Sequence, residues 1–504
     1  MASRIEVAFV LALAILPVCG TAIPGEDCGA RIQEALAALG QQKPREAEQL
    51  ALAATRACPK EPAAYSMLGM TYDSENRFGE AQAAYRQAIL LDPKVAALHD
   101  NLAVSYMRSG KQDEAAREFQ IALRLDPENE TANLNLGAYY LDQKMYRRAV
   151  DFFHAARAEV SNDPEVLLGI TQAYLGAGQK NAALQTASRL SAIGGSDPKI
   201  HFSLGLLLAE DGEYARAAKE FEAIPAQDRD FAVALNLGMV RSRLGQFSEA
   251  RQAYQEASQL DPSSPEPYLR IGLDYSAARN STDAISWISR AYDKAPERTD
   301  ISYALAEELI RTRNYERAHD LLSSGLRSHP QDSMLQEALG DLYSRQNQVQ
   351  EAIDAYLRCL DSSPRRVSAR LSLAEMYLDA GRAADAKTEF GRILQVEPDN
   401  PEATARLGKM ALEAGQRDAA LQYTEKALAR DPDNLTANED LAQIRMKDGK
   451  LDEAEATLEK LVKLDPDNPR FHYLLSRVLA RLNRQQEAES EFELSKKLEA
   501  GPRN

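Results

Sequence analysis

The sequence contains few of the residues that build metal sites and catalytic centres. Cysteine occurs 4 times, histidine 6 times and tryptophan once in 504 residues. No two histidines stand at metal-ligand spacing, no HExxH stretch occurs, and the GxxxxGKS/T, GxSxG and GxGxxG patterns are missing. Because an activity needs a site and not only a fold, we expect a non-enzymatic protein with no cofactor and no metal.

Positive charge is also scarce. The chain has 60 lysines and arginines against 76 aspartates and glutamates, which gives a net charge of -16. Such a charge repels phosphate backbones and anionic lipid surfaces, and no local basic patch overrides it. We therefore expect no nucleic-acid partner.

Long apolar runs are absent except near the start. Arg4 precedes an uncharged apolar run from Val7 to Val18, and small residues follow it. The run is shorter than the roughly 20 residues that a membrane-spanning helix needs, and the order is typical of a secretory signal peptide. We predict that residues 1–22 are a signal peptide. The mature chain would begin near Ile23 and be exported, to a periplasm or as a secreted protein, with no integral membrane span.

Three alternatives to cleavage at Ile23 stay open. Cleavage after Gly20 fits the small-residue rule as well, and an uncleaved run would act as a retained anchor. The stretch that ends in Cys19 faintly resembles a bacterial lipoprotein box, which would place a lipid anchor on Cys19. Val18 argues against lipidation, because that box requires a small residue before the cysteine.

A period of thirty-four residues organises the rest of the chain. Proline, which cannot continue a helix, returns at this step at Pro59, Pro93, Pro127, Pro262, Pro296, Pro330, Pro364, Pro398, Pro432 and Pro466. One position between these stops always holds alanine: Ala47, Ala81, Ala115, Ala149, Ala183, Ala217, Ala250, Ala284, Ala318, Ala352, Ala386, Ala420, Ala454 and Ala488. The position twelve residues earlier is always small, most often glycine, as in Gly69 and Gly205. Fourteen repeats fill residues 28 to about 502.

Each repeat has room for two helices. Apolar residues recur at spacings of three and four, which makes two apolar helical stripes per repeat. Glycine, the usual residue after a helix, stands where the first helix should end at Gly110, Gly245, Gly381, Gly415 and Gly449. We expect Asp113 and Asp452 to cap the second helices that follow.

These positions together resemble the tetratricopeptide repeat (TPR) family along essentially the whole mature chain. The resemblance implies an all-α fold over residues 28–504: a right-handed α-solenoid of tandem antiparallel helix pairs, with a concave groove lined mainly by the first helix of each pair. The register slips by one residue near Ile224-Pro225, where a second helix must be cut short, and we expect a bend between residues 193 and 230. The family's tryptophan position holds other residues here, including three histidines that we expect to pack within the fold: His99, His201 and His472.

The resemblance also places residues on the groove wall. The apolar ones are Met70, Val104, Leu134, Leu168, Phe202, Leu206, Leu235, Met239, Leu269 and Leu273. Further along the chain the wall becomes acidic, with Glu307, Glu337, Asp341 and Glu375. One inward position holds Asn101, Asn135 and Asn236, similar to the asparagine ladder by which some family members bind the backbone of an extended peptide.

The cysteines after the signal have two predicted roles. Cys28 and Cys58 lie at the start and the end of the first hairpin, whose antiparallel helices return the chain to its origin, so we predict a disulfide between them. Cys359 stands at a helix-packing position that elsewhere holds alanine, and we expect a buried, inert thiol there.

The function that these features favour is binding. We predict a scaffold in the exported or envelope compartment that holds extended protein or peptide segments in its groove. One alternative is a structural or assembly subunit of a secretion or polysaccharide-export machine, or a solenoid that associates with itself. Another is an accessory region of an enzyme.

Overall fold

A computed structural model describes residues 26–158 and 161–500, and every regular element within these ranges is a helix. This confirms the predicted all-α class. The chain divides into two compact units, Met1–Pro262 and Ser263–Asn504. The predicted signal peptide lies outside the described residues.

The described residues of the first unit contain seven helix pairs, and a short 3₁₀ helix, Ala226–Asp228, follows α12. Its α-helices are α1 (Glu26–Gly40), α2 (Pro44–Ala57), α3 (Pro62–Ser74), α4 (Phe78–Leu91), α5 (Ala96–Arg108), α6 (Gln112–Leu125), α7 (Glu130–Asp142), α8 (Tyr146–Ala155), α9 (Pro164–Gly176), α10 (Lys180–Gly194), α11 (Pro198–Glu210), α12 (Tyr214–Ala223), α13 (Phe231–Arg243) and α14 (Phe247–Leu260).

The second unit also contains seven helix pairs. Its α-helices are α15 (Glu266–Ala277), α16 (Ser281–Lys294), α17 (Thr299–Arg311), α18 (Tyr315–Ser328), α19 (Ser333–Arg345), α20 (Val349–Ser362), α21 (Val367–Asp379), α22 (Ala383–Val396), α23 (Pro401–Glu413), α24 (Arg417–Arg430), α25 (Leu435–Lys447), α26 (Leu451–Leu464), α27 (Pro469–Arg481) and α28 (Gln485–Glu499). Each odd-numbered helix packs along the even-numbered helix that follows it, so the described part of the chain is a tandem array of fourteen helix pairs.

The turn inside each pair contains one residue with positive φ. Glycine, which tolerates this conformation best, occupies it in half of the pairs, for example Gly110 with φ 79° and Gly449 with φ 75°. The predicted helix-ending glycines are confirmed. In the other pairs a residue with a side chain adopts the same conformation, for example Arg279 and Arg313, which no sequence rule singles out.

The helix starts are capped differently from the prediction. First helices are often capped from the linker, as where Asn129 Oδ1 accepts a 2.9 Å hydrogen bond from a backbone N–H of α7. The prediction for the second helices is wrong: the N-cap residues of α6 and α26 are Lys111 and Lys450, and neither makes a side-chain cap. Asp113 and Asp452 lie inside the first turn instead, where their charge still favours the positive end of the helix.

The small position of the repeat is where the two helices of a pair meet. A Cβ atom at Gly69 would lie 2.6 Å from Cε1 of Tyr85, and one at Gly205 would lie 2.6 Å from Cε1 of Phe221. Both aromatic rings are 0% exposed. The recurring alanine is equally buried, with Ala217 at 0%, so small residues and large rings pack together in these two pairs.

Two second helices are shorter than the others, with 10 residues each. Helix α12 ends at Ala223, directly before Ile224-Pro225, which confirms the predicted truncation. Helix α8 ends at Ala155, where no proline or glycine announces a stop, and Arg157 then takes a positive φ of 52°. A bend between residues 193 and 230 stays a prediction.

Candidate functional site

The first helices of successive pairs contact one another within each unit, for example α1 with α3, α9 with α11 and α17 with α19. No two second helices in the described ranges are in contact to the same extent. The first helices therefore form the more closely packed side of each unit, and we call this side the inner wall.

Five predicted apolar contact residues are half-buried on α9, α11 and α13, three consecutive first helices of the first unit. We call them the apolar strip: Leu168, Phe202, Leu206, Leu235 and Met239. The first three pack against the main hydrophobic cluster of the unit, and the Phe202 ring lies 6.0 Å from that of Phe221 between centroids. The strip thus leaves apolar surface uncovered on side chains that the core holds in place.

The other predicted apolar residues are placed differently. Val104, Leu134 and Leu269 are 1%, 9% and 5% exposed and belong to hydrophobic clusters, which corrects their placement on a groove surface. Met70 is half-buried, and Leu273 in the second unit is 38% exposed. Burial against neighbouring pairs, which repeat position alone does not specify, separates these groups.

The three asparagines do not form a free ladder. Asn135 and Asn236 each donate from Nδ2 to the backbone carbonyl four residues earlier, at 2.8 Å, while Asn101 donates to Ser66 Oγ at 3.2 Å. Asn101 and Asn135 are 0% and 1% exposed, and only Asn236 is half-buried. An amide that binds a peptide backbone needs its donor and acceptor outside the fold, so the structure corrects this assignment for Asn101 and Asn135.

Two of the predicted acidic residues form ion pairs with the following helix pair. Glu337, which is 5% exposed, pairs with Arg366, and Glu375 pairs with Arg406 at 2.9 Å. Sequence reasoning missed these arginines, because each stands about one repeat away from its partner and at a different repeat position. The positive charges of Arg366 and Arg406 weaken the attraction of Glu337 and Glu375 for a basic ligand.

Glu307 and Asp341, which we call the acidic section, make no ion pair with any described residue. Burial raises the pKa of Glu307 to about 7, and repulsion from Asp341 and Glu337 adds to the shift. Burial also raises the pKa of Asp341, although a 2.5 Å hydrogen bond from the Tyr356 hydroxyl opposes the shift. A cationic group placed beside these two carboxylates would favour their charged forms.

The remaining predicted residues lie as follows. His99, His201 and His472 are 5%, 2% and 3% exposed, which confirms that they pack within the fold. Cys359 is 0% exposed, and burial raises the pKa of its thiol to about 11. The structure joins Cys28 and Cys58 by a disulfide, with their Cα atoms 6.2 Å apart.

The described ranges contain neither a candidate metal site nor a candidate membrane span. These residues include no group of three or more His, Cys, Asp or Glu side chains arranged to hold a metal ion. None of the described helices combines the length and the hydropathy that crossing a membrane requires.

The tandem helix pairs, the repeating small and alanine positions and the closely packed inner wall define a helical-repeat protein. Tetratricopeptide repeat models match residues 62–95, 101–164, 140–201, 240–277, 303–367, 344–409, 411–478 and 469–493. The chain belongs to the tetratricopeptide repeat family. Members of this family generally act as protein-interaction scaffolds and not as enzymes.

The chain is also similar to part of a larger protein. The protein CTR9 homolog of Arabidopsis thaliana is 27% identical over 139 residues, which is 26% of this chain and 12% of that protein. The chain therefore matches only a small part of the length of this relative. This partial match does not assign the activity of the CTR9 homolog to this chain.

Solved structures with similar helical arrays include the APC/C hetero-tetramer Cut9–Hcn1, with a TM-score of 0.42 and 13% identity over 90% of this chain and 96% of the other. The human IFIT1 dimer with PPP-AAAA has a TM-score of 0.37 and 17% identity over 80% and 91% of the two chains. Naa15/Naa10 bound to HypK-THB has a TM-score of 0.35 and 13% identity over 94% of each chain. At these scores the likeness carries no argument about function.

Proposed function

We propose that this protein is a non-enzymatic scaffold that holds extended segments of partner proteins on its inner wall. The observation that carries the proposal is the apolar strip, a row of half-buried side chains on consecutive first helices of the first unit. Solvent-exposed apolar area of this kind is stabilised when a partner covers it. Leu206 and Met239, on neighbouring first helices, extend the row from pair to pair.

The second unit supports a different contact on its own inner wall. Glu307 and Asp341 form no ion pair with any described residue, and Arg311, Arg345 and Arg366 offset only part of their charge. We propose that these two carboxylates receive basic side chains of the partner. Each unit is proposed to act through its own surface. A suitable partner contains one apolar segment and one basic segment.

The proposal predicts different salt signatures for the two surfaces. Phe202→Ala with Leu206→Ala should weaken a partner about tenfold or more at every ionic strength, since covering an exposed Phe or Leu contributes about 1–2 kcal/mol. Glu307→Gln with Asp341→Asn should weaken binding mainly at low salt, because salt screens the attraction between these partly accessible carboxylates and a basic segment. The measurement is a titration of a partner recovered by crosslinking and mass spectrometry, with circular dichroism to verify folding.

Matched controls change the same residue types on second helices. Leu90→Ala with Leu260→Ala removes apolar surface that is 75% and 48% exposed on α4 and α14, and Asp418→Asn with Glu493→Gln removes exposed acids. Both controls should bind like the wild type. If neither inner-wall variant loses more affinity than its control, the inner wall is not the binding surface and the structural-subunit alternative gains support.

We further propose that the protein works after export. The N-terminal pattern around Val7 and Val18 and the pairing of Cys28 with Cys58 support this, because disulfides persist in oxidising compartments. The intact mass of the protein from its native source should correspond to a chain that begins near Ile23. Full-length protein in the membrane fraction, or a lipid mass on Cys19, would instead mean a retained anchor.

A further inference from the structure

One position of the repeat holds a ring that bridges two hydrogen-bond acceptors. In the sixth pair, His201 Nδ1 lies 2.7 Å from Oε2 of Glu220, and His201 Nε2 lies 3.0 Å from the backbone oxygen of Gly195. Glu220 belongs to the second helix α12, and Gly195 belongs to the linker before α11. The ring therefore ties the start of α11 to both its own second helix and the preceding linker.

The same arrangement recurs at two further histidines. His472 Nδ1 lies 2.6 Å from Oε2 of Glu491, and its Nε2 lies 2.8 Å from a linker carbonyl. His99 makes the corresponding contacts at 2.8 Å with Glu118 and at 3.3 Å with a linker carbonyl. In all three cases the carboxylate comes 19 residues after the histidine and the carbonyl comes 6 residues before it.

Arginine fills the same position in the eleventh pair. Arg370 donates from Nη1 to Glu389, again 19 residues later, and from Nη2 to the backbone oxygen of Pro364, again 6 residues earlier, at 2.6 Å. A guanidinium is charged at every pH a protein meets, and it only donates. In this pair, therefore, the position holds a cation that donates to both acceptors.

Each of the three histidine rings also faces two acceptors and therefore needs two N–H donors. A carboxylate and a backbone carbonyl are both acceptors, so each ring nitrogen needs a hydrogen to satisfy its contact. A neutral imidazole carries only one N–H, and its second nitrogen would face an acceptor with its lone pair. Only the imidazolium form donates to both.

We propose that His99, His201 and His472 are doubly protonated clamps, and that losing one proton as the pH rises loosens the third, sixth and fourteenth helix pairs. The histidines are 2–5% exposed, whereas the side chains of Glu118, Glu220 and Glu491 are 22%, 13% and 27% exposed, so water replaces the missing donor only if the carboxylate moves away from the ring. The protein thus carries a pH-sensitive device at three points of its array.

The negative charges beside the rings favour the imidazolium form. Each ring faces its carboxylate, and His99 also has Asp100 beside it. Arg216 and Lys219 line the cleft beside Glu220 and partly offset its charge. Within the described ranges, no charged side chain of the preceding second helices α4, α10 and α26 forms an ion pair with these rings.

The hydrogen bond with Glu118 raises the pKa of His99 above its usual value of 6.5, while burial opposes the shift. A raised pKa in the folded state means that protonation stabilises the fold. This stability is fully present below about pH 6.5 and is lost as the pH rises through the higher folded-state value.

The sixth-pair clamp lies next to one residue of the apolar strip, because Phe202 directly follows His201. Loosening the start of α11 would displace Phe202. Partner binding at the strip would then weaken as the pH rises, a consequence that rests on the proposed function, whereas the clamp itself does not.

The protonation state is testable by NMR of protein labelled with ¹⁵N only in histidine. The exposed rings of His154, His319 and His329 serve as internal references, and each signal is assigned by substitution. At about pH 6 each of the three buried rings should show two N–H groups, and His99 should keep its second N–H to a higher pH than the exposed rings do. If the buried rings lose the second proton at a lower pH than the exposed ones, the proposal is wrong.

Substitutions test the mechanical consequence. His201→Arg copies Arg370 and should keep α11 and α12 protected from hydrogen exchange at both about pH 6 and about pH 8. His201→Gln supplies one donor, as Gln336 does toward Pro330 O at 3.2 Å, and should exchange as fast at the lower pH as the wild type does at the higher. The wild type should lose protection several-fold between the two pH values after correction for intrinsic exchange.

The reciprocal variant keeps the test decisive if His201→Arg fails to fold. Arg370→His should add a pH-dependent loss of protection to α21 and α22. Burial also raises the pKa of Asp100 to about 6 and that of Asp440 to about 7, so these groups add their own pH dependence to hydrogen exchange. The test therefore compares the pH dependence of each variant with that of the wild type. An identical pH dependence in wild type and His201→Arg, or none gained by Arg370→His, would overturn the proposal. Neither readout uses a partner, so the outcome is independent of the proposed function.

Discussion

Replacing Gly205 by valine is expected to unfold the sixth helix pair before the rest of the first unit. The new Cβ would lie 2.6 Å from Cε1 of Phe221, and the Phe221 ring is 0% exposed, so it has no free space into which to move. Overpacking of this kind costs about 1–3 kcal/mol, and a branched side chain at a helix contact should reach the upper end of that range. Hydrogen exchange of α11 and α12, followed by mass spectrometry, measures the loss where it occurs.

Two controls separate this clash from a general effect of valine in a helix. Gly391→Val places the same side chain on α22, where a Cβ would meet nothing within 4 Å, and should leave local protection nearly unchanged. Phe221→Ala alone should cost about 3–5 kcal/mol, but combined with Gly205→Val it should cost less than the sum, because the valine fills part of the cavity. Equal loss of protection from hydrogen exchange in Gly205→Val and Gly391→Val would contradict a clash between position 205 and the Phe221 ring.

Removing the disulfide between Cys28 and Cys58 is expected to destabilise the first helix pair. The bond closes a segment with a sequence separation of 30, which in the chain-entropy model contributes about 3–4 kcal/mol. Within the described ranges, the first pair contacts one neighbouring pair, mainly through α3, so these contacts stabilise it less than those of a pair with two neighbours. Cys58→Ala should therefore raise hydrogen exchange in α1 and α2 far more than in α5 and α6.

Cys359→Ala is the matched control for the disulfide. The thiol of Cys359 is buried at a position that holds alanine in other repeats, such as Ala257, so this variant should remain close to the wild type in stability. In native exported protein, alkylation without reductant should leave Cys28 and Cys58 unmodified. Alkylation of both residues under these conditions would mean that the bond does not form.

Sequence reasoning succeeded where a residue type has one structural meaning in every repeat. The alanine at positions such as Ala217 and the glycine at Gly205 lie between helices that must touch, and no larger residue fits there. Ile224-Pro225 stops α12 because proline cannot continue a helix. Helix α8 stops at Ala155 without such a residue, and for that reason it was not predicted.

Reasoning from repeat position failed where neighbouring pairs decide the outcome. Leu168 and Leu134 share one repeat position, yet Leu168 is half-buried and Leu134 is 9% exposed, because the packing around them differs. Glu337 and Glu307 both read as acidic wall residues, but only Glu337 has an arginine partner from the next pair. The histidine clamps likewise became visible only when the carboxylate 19 residues away was seen beside the ring.

By itself, the sequence determined the all-α class, the fourteen helix pairs, the helix-ending glycines and the family, because these depend on local periodicity and on contacts inside one repeat. The tertiary structure alone decided which inner-wall side chains stay accessible, which carboxylates form ion pairs and which histidines face two hydrogen-bond acceptors. These properties depend on contacts between repeats and linkers, where burial and hydrogen-bond partners are set by residues that the local pattern does not connect.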